Sequence, residues 1–550
     1  MRSTFYGLEI ARSGLYTSQN ELNVTGHNIA NVDTVGYTRQ RLNTASLAPV
    51  SMNVQYALDA KSTTGRGVEA LTVDQVRNLF TDAKYREEAS ATGYWNTRMN
   101  EFYMVEQLYN SVLETTSTSS SIDTALTSFK TALDSLVEEP SSLEARTNLM
   151  TKAMQLTETF RYVYGKLEDQ HDNLNNSVAV TVGRINDIAQ SIANLNRQIH
   201  GYELTGAKAN DLRDSRNLLL DELSGLVDIE YYENSQGYLT VTIGGRALVN
   251  GVESNKLAVD PQGADNQMDV VANADIIRKQ YSVVWADGMG KPSKNPDDAA
   301  LIQSGALKAY LDLRDGTTEE TYGIPYVANQ LNELARKIAE EINEVHAQGY
   351  TLPFTEADAL GATAGLTPRI LPDGTIYYES TTGINFFEVD KGDYSKINAG
   401  SFAVSSDIQK NVYLIAASGE KLPVEGVDAS GNLVVTQNMQ RGNAENLKKI
   451  AALFSKKDAV GNPDNYSAQL KLLVTNVGTQ QEKIQTMESA QQTRIASIVA
   501  QRASESSVSI DEEMTNMIRF THAYNANARI MTAIDEELDT LINKMGTVGR

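Results

Sequence analysis

Residues 8–29 read LEIARSGLYTSQNELNVTGHNI. Leu8, Leu15, Leu22 and Ile29 recur every seven residues, and Ala11, Ser18 and Thr25 stand three residues after each of the first three. A bulky row beside a small row at this period describes a helix with a narrow seam that a partner helix can approach closely. The far end of the chain carries a matching pattern. Ile510, Met517, Tyr524, Met531, Leu538 and Met545 also recur every seven, Phe520, Ile534 and Leu541 fill the companion row, and Asn527 interrupts it. Asp511, Glu512 and Glu513 open this run, where negative charge favours a helix N-terminus. Ser509 and Glu512 have the spacing of a capping box. A small-row helix and a large-row helix suit one another, so the two ends are expected to pair as a coiled coil, with everything between them inserted.

That expectation gives a nested chain. Residues 67–115 are mostly compatible with helix and lack Pro. Residues 174–199 carry another apolar repeat (Leu174, Val178, Ile185, Ile188, Ile192, Leu195, Ile199), and Gly201 reads as its stop. Residues 210–227 and 464–505 are helical in pattern. Residues 328–349 place Leu331, Leu334, Ala335, Ile338, Ile342 and Val345 on one face before Gly349. Two regions differ. Residues 229–302 include YLTVTIGGRALVNG, with apolar positions at period two around a GG turn. Residues 351–440 hold RILPDGTIYYES, FFEVD, FAVSS, VYLIAAS and GNLVVTQ between Gly, Asp and Pro, and read as strands. The predicted fold is mainly α with inserted β domains. Residues 1–50 plus 505–550 form a terminal coiled-coil domain. Residues 51–228, 303–350 and 441–504 form a helical-bundle stalk. Residues 229–302 are one β-rich insert and residues 351–440 an outer one.

Composition excludes several functions. With 550 residues, several separate cores can be buried. A net charge of −22 repels phosphates, which argues against nucleic acid and anionic membranes as partners. No apolar run approaches the roughly 18 residues of a membrane helix. The opening MRSTFYGLEIARSGLY lacks the apolar core of a secretory signal peptide. Cysteine is absent, which removes disulfides and thiolate chemistry. His27, His171, His200, His346 and His522 include no pair at the spacing of a local zinc site. Neither a G-x-S-x-G elbow nor a phosphate-binding G-x-x-x-x-G-K-[ST] loop occurs, and Gly65-Arg66-Gly67 reads as a turn before a helix. The DEE triplet reads as a helix cap and solvated face. No catalytic residue, cofactor or metal is expected. Residues 1–45 carry a formal +1, so the acid surplus lies in the remainder of the chain and the N-terminal helix is nearly neutral.

Residues 23–40, NVTGHNIANVDTVGYTRQ, end the first helix. Asn28 and Asn31 lie on one helix face, where their amides can satisfy backbone groups of a neighbouring segment. Gly36 accepts positive φ, and TRQRLNT beyond Tyr37 reads as extended. This stretch resembles the N-terminal signature of the bacterial flagellar rod and hook family, roughly N-x-x-N-x-x-T-x-G-[FY], through Asn28, Asn31, Thr34, Gly36 and Tyr37. SVSIDEEMTNMIRFTHAYNANARIMTAIDEELDTLI (507–542) is similar to the family's C-terminal signature, with THAY where a glutamine usually precedes Ala-Tyr. NDLRDSRNLLLDELSGLVDI, GALKAYLDLRD, INEVHAQGY and GNAENLKKIAAL resemble the branch of that family that joins hook to filament.

The resemblance implies a structural protein rather than an enzyme. It implies export without a cleaved signal through the flagellar type III apparatus, with a chaperone on the C-terminal helix beforehand, and an extracellular place on the flagellum. It implies a ring of identical copies between hook protein and the second hook-associated junction protein, and terminal helices that order only on assembly. The residues expected to pack in that setting are those of the two seams and the signature turn: Leu8, Leu15, Leu22, Ile29, Asn28, Asn31, Thr34, Gly36 and Tyr37, with Ile510, Met517, Phe520, Tyr524, Met531, Ile534, Leu538 and Leu541. A hook or rod protein shares these signatures, and the β inserts leave room for an adhesive or hydrolytic activity.

Overall fold

The computed structural model describes residues 6–47, 65–113, 121–204, 206–261, 281–355, 368–370, 374, 376–390, 392–421, 425–427, 433–435, 442–457 and 465–544. Helices dominate it, with small antiparallel sheets between them.

The first helix, α1 (Tyr6–Ala30), leads into a hairpin of β1 (Gln40–Ser46) and β2 (Val68–Gln75). Residues 68–75, read above as helix-compatible, are therefore strand, and helix begins only at α2 (Leu79–Leu113). Gly65-Arg66-Gly67 precedes that strand rather than a helix, with Gly67 at φ 105°. Thr72 and Val73 are β-branched residues on a half-buried ribbon, where strand geometry suits them.

The stalk is built from α2, α3 (Ile122–Glu138), α4 (Leu143–Glu203), α7 (Ile324–Gln348) and α10 (Tyr466–Ser506). The apolar repeat at 174–199 is the second half of α4, a 61-residue helix that runs through Gly201 to Glu203. Its first turn is capped by Ser142, whose hydroxyl accepts from the Ala145 N–H at 3.2 Å. Gly349 caps the end of α7 as its position suggested. The bundle core includes Phe102, Phe129, Leu156, Phe160, Leu331 and Ile338, all buried. Each such side chain contributes roughly 1.5–3 kcal/mol by leaving water.

The C-terminal half of α4, α5 (Asn210–Leu226) and α6 (Ala306–Asp315) pack beside a sheet in the order β3 (Glu230–Glu233), β4 (Leu239–Ile243), β5 (Arg246–Asn250) and β6 (Glu253–Ser254). A second pair, β7 (Leu257–Asp260) and β8 (Ser282–Trp285), adjoins it. Gly244 and Gly245 form the two-residue turn between β4 and β5, as the GG suggested. This insert shares its core with α4 and α5 through Ile185, Ile192, Leu220, Val241 and Trp285.

The region 351–440 differs from its expected form as an outer β-rich insert. Among the described residues, strand there is confined to β9 (Phe354–Thr355), β10 (Pro368–Ile370), β11 (Ile376–Tyr378), β12 (Glu425–Val427) and β13 (Leu433–Val435). The backbones of FFEVD and FAVSS pair as an isolated bridge between Phe387 and Val404 rather than as strands, and Val412–Leu414 is a 3-10 turn. Phe386, Phe387, Phe402, Ile415 and Ala417 belong to the stalk core. Side chains from the helices satisfy this segment's backbone in place of a neighbouring strand. Asn343 holds Phe387 through both its N–H (2.8 Å) and C=O (3.0 Å), and Asn332 accepts from the Ala399 N–H at 2.8 Å. His346 Nε2 accepts from the Ala416 N–H at 2.9 Å while Nδ1 donates to Ile384 C=O at 2.6 Å, which fixes its tautomer. Burial lowers the His346 pKa to about 4. Arg146, fully buried with no carboxylate beside it, donates to the carbonyls of Pro140 and Ile415 at 2.9 Å each.

The last helix, α11 (Ile510–Asp539), returns along α1. Met545 lies outside the described residues. Among the described residues no helix is long and apolar enough to cross a membrane, and no cluster of His, Asp and Glu could hold a metal.

Candidate functional site

The site lies where the two terminal helices meet each other and the base of the stalk. α1 and α11 run antiparallel in one register. A Cβ added to Gly7 would meet Ile534 at 3.1 Å, and one added to Gly14 would meet the Asn527 amide at 2.7 Å. Fourteen residues further along α1 and fourteen back along α11, Asn28 donates to Glu513 at 3.2 Å. A side chain at Gly14 would therefore have to displace the amide of Asn527, the polar break in the sequence pattern, which rests against it.

The seam is not the leucine row. Ala11, Ser18, Thr25 and Asn28 are buried, while Leu8, Leu15, Leu22 and Ile29 are only half-buried. Gly7, Ala11, Gly14 and Ser18 recur in alternating steps of four and three, with Thr25 seven residues on, so small residues let the backbones come close. The hairpin occupies another side of α1, where Ser13 accepts from the Val68 N–H at 3.3 Å. The leucines flank the seam. On α11, Met517, Phe520, Tyr524, Met531, Ile534 and Leu538 are half-buried. Ile510 and Leu541 are exposed at 47% and 45%, contrary to expectation. The shared register explains both: Ile510 faces the level where α1 has ended, and Leu541 lies past where α1 begins.

The signature turn closes on the same place. Asn28, 1% exposed, uses its whole amide. It donates to Gln40 C=O (2.9 Å) and to Glu513 (3.2 Å), and accepts from the Gln40 N–H (2.9 Å) and the Tyr37 hydroxyl (2.8 Å). Asn31 donates to His27 C=O at 3.0 Å and accepts from the Thr34 hydroxyl at 3.2 Å. Thr34 C=O takes the Tyr37 N–H at 3.1 Å. Gly36, at φ 82°, brings the turn over Leu218 of α5. Thr34 and Gly36 themselves are exposed. Burial, helped by Asp211, Asp214 and Glu513, raises the Tyr37 pKa, so the phenol stays a donor.

Charges missed by the sequence reading complete the site. Arg39 pairs with both Glu512 and Glu513 at 2.8 Å, and its N–H reaches Ser506 C=O, the last residue of α10, at 3.0 Å. Glu513 is buried rather than on a solvated face. Ser509 occupies the N-cap position of α11 but its side chain makes no capping bond, and Glu512 turns to Arg39 instead of completing a box. Below this, Arg502 pairs with Asp82 (2.8 Å) and Asp221 (2.7 Å) while lying over Tyr85, tying the end of α10 to α2 and α5. Asp214 accepts from the Thr38 N–H at 3.0 Å and from Gln75 at 2.7 Å. Burial raises its pKa to about 6, against the opposing pull of Thr38 and Arg77. No sequence period marks these pairs, because the partners lie hundreds of residues apart. A cleft of ≈600 Å³ opens between α1, β1 and α11, with Glu21, Arg41, Arg519 and Phe520 on its walls. Nothing in the arrangement places a nucleophile beside a base. It fixes two helices and two chain crossings at one angle.

Comparison with known proteins finds similarities along the chain. The family described as flagellar hook-associated protein FlgK helical domain matches residues 106–359. The flagella basal body rod protein family matches residues 8–38, and the flagellar basal body rod FlgEFG protein C-terminal family matches residues 499–544. The chain is 28% identical to flagellar hook-associated protein 1 of Bacillus subtilis over the whole of both chains. It is 26% identical to the protein of that name from Salmonella typhimurium, over 97% of this chain and 98% of the relative. Its fold is similar to that of the flagellar hook junction protein FlgK from Burkholderia pseudomallei, with a TM-score of 0.54 and 16% identity over 78% of this chain and all of that one.

Proposed function

We propose that this chain, which belongs to the family of flagellar hook-associated protein 1 and is a structural component of the hook–filament junction, polymerises by folding its terminal helices against copies of itself. The observation that carries the reading is the antiparallel pair of α1 and α11. Its small-residue seam is closed within one chain, while the row Leu8, Leu15, Leu22 and Ile29 stays half-buried along one flank. Met514, Ile518 and Ile530 stand exposed on α11. A helix pair sealed mainly by glycine, alanine, serine and threonine buries little apolar area, against a backbone ordering cost of about 1–2 kcal/mol per residue. Neighbouring copies that cover the leucine flank supply what the pair lacks, so ordering and assembly are coupled.

In this reading the copies form a ring, with hook protein on one side and the second hook-associated junction protein on the other. The chain reaches its extracellular place by flagellar type III export, without a cleaved signal, and a chaperone holds the C-terminal helix beforehand. Of the units expected from the sequence, 1–50 with 505–550 act as inner tube and 51–228, 303–350 and 441–504 as stalk, with 229–302 carried on α4 and α5 and the apolar part of 351–440 serving the stalk core rather than an outer part. The polar lock of Asn28, Tyr37, Arg39 and Glu513 transmits load between inner tube and stalk. No catalytic step is assigned to the chain.

Replacing Leu15 and Leu22 by Asp tests this reading. Incorporation at the hook tip is expected to be lost while circular dichroism reports a folded stalk. Normal incorporation of that variant, or equal collapse of fold and assembly, would overturn it.

A further inference from the structure

A second surface on the stalk is a notch that carries carboxylates. Between α2 and α10 a notch of ≈400 Å³ is lined by Met99, Tyr103, Glu106, Gly478, Gln481 and Glu482. Gln481 is 8% exposed, and its buried Oε1 has no donor among the described residues. A buried acceptor without a donor costs roughly 1–3 kcal/mol, so the amide gains whenever a donor arrives. The notch has two carboxylates, and no basic residue lines it. Gly478 stands inside a 41-residue helix, where a Cβ would meet nothing within 4 Å. Glycine there costs about 1 kcal/mol relative to alanine, and no contact among the described residues requires it.

The chain carries a matching patch. Arg161 and Tyr162 are exposed on α4, Tyr162 at 63%, and Arg161 has no ion-pair or hydrogen-bond partner among the described residues. Lys166 lies over the Tyr162 ring and is held only by a surface pair to Asp169. Gly165, between them, would also meet nothing if given a Cβ. The notch lies between α2 and α10, whereas the patch lies on α4, which packs chiefly along α3. They also lie at similar heights. Gln170 donates to Glu101 at 2.8 Å, and α4 runs opposite to α2, so Lys166 comes level with the notch. Complementary surfaces at one height on different helices of a subunit make a head-to-tail contact, which closes into a ring when the rotation allows.

We propose that the Arg161–Tyr162–Lys166 patch of one copy docks into the Tyr103–Glu106–Gln481–Glu482 notch of the next. This rests on the reading of the chain as a self-assembling junction protein. The cationic head lies between the two carboxylates and donates to Gln481, and the aliphatic stem runs along Met99 and Tyr103.

The absence of cysteine makes the test clean. Full-length chain carrying Arg161→Cys and Glu482→Cys is assembled onto hooks and treated with a short bismaleimide. A ladder of covalent dimers, trimers and higher species is expected, and neither single variant should give it. Gly478→Leu, whose Cβ would meet nothing within 4 Å, should lower incorporation without lowering the melting temperature. Normal entry of the double variant without a ladder, or normal entry of Gly478→Leu, overturns the docking and leaves the functional reading standing. If the unsubstituted chain itself fails to enter the junction, the functional reading falls and the docking with it.

Discussion

Replacing Asn28 by Ala is the sharpest probe of the polar lock. The side chain makes four hydrogen bonds from a position that is 1% exposed, one of them to the buried carboxylate of Glu513. Truncation leaves the Gln40 N–H, the Gln40 C=O and the Tyr37 hydroxyl each short of a partner, at about 1–3 kcal/mol for any group that water cannot reach. Glu513 keeps Arg39, so its loss is smaller. Partial hydration of the turn brings the total to about 3–5 kcal/mol of local stability. A factor of ten corresponds to about 1.4 kcal/mol, so the Gln40 amide should exchange with solvent faster by two to three powers of ten. Hydrogen–deuterium exchange on chain incorporated at hook tips reads this directly, and melting of the stalk should be unchanged because Asn28 touches none of its core. Asn28→Asp should be worse at neutral pH, since it sets a second carboxylate about 3 Å from Glu513, and Glu513→Gln should restore part of the loss. Exchange at Gln40 within about threefold of the parent in Asn28→Ala would refute the argument that these bonds hold the turn.

Two buried titrating groups give pH dependences of opposite sign. The Asp214 carboxyl, facing Arg77, Asp211, Thr38 and Gln75, has its pKa raised from 3.8 to about 6, so the folded state holds the proton more tightly. Its contribution is complete below 3.8 and is lost as pH rises through about 6, at most about 3 kcal/mol. Asp214→Asn should remove that slope in urea titrations between pH 3.5 and 7; an unchanged slope would refute it. His346, with Arg146 nearby, has its pKa lowered from 6.5 to about 4. Its contribution is present above 6.5 and is lost as pH falls toward about 4, again by about 3 kcal/mol. His346→Gln should flatten stalk stability over that window, and a persistent loss toward pH 4 would show that other groups carry it.

The sequence made some of this legible for definite reasons. The period of seven at both ends is a local signal, and it correctly marks α1 and α11. It does not say which of two adjacent rows faces the partner, and the eye prefers leucine; only the closeness allowed by Gly7 and Gly14 decides for the small row. Asn28 was visible as an amide on a helix face. Arg39, Glu513, Arg502 and Asp214 were not, because ion pairs between distant segments leave no spacing to read. The apolar runs of FFEVD, FAVSS and VYLIAAS read as strands because short apolar runs do not distinguish strand from buried irregular chain. The deciding partners, Asn332, Asn343 and His346, sit on another element and resemble ordinary helix residues in the sequence.

The antiparallel closure of α1 on α11 also orders events in time. The first of these helices is synthesised early, and its complement begins only at Ile510. Any product cut short before that point has no partner for its opening segment, however well its middle has folded. The element proposed to commit the molecule to a polymer is thus withheld until translation is nearly complete, and a fragment ending before Ile510 lacks it.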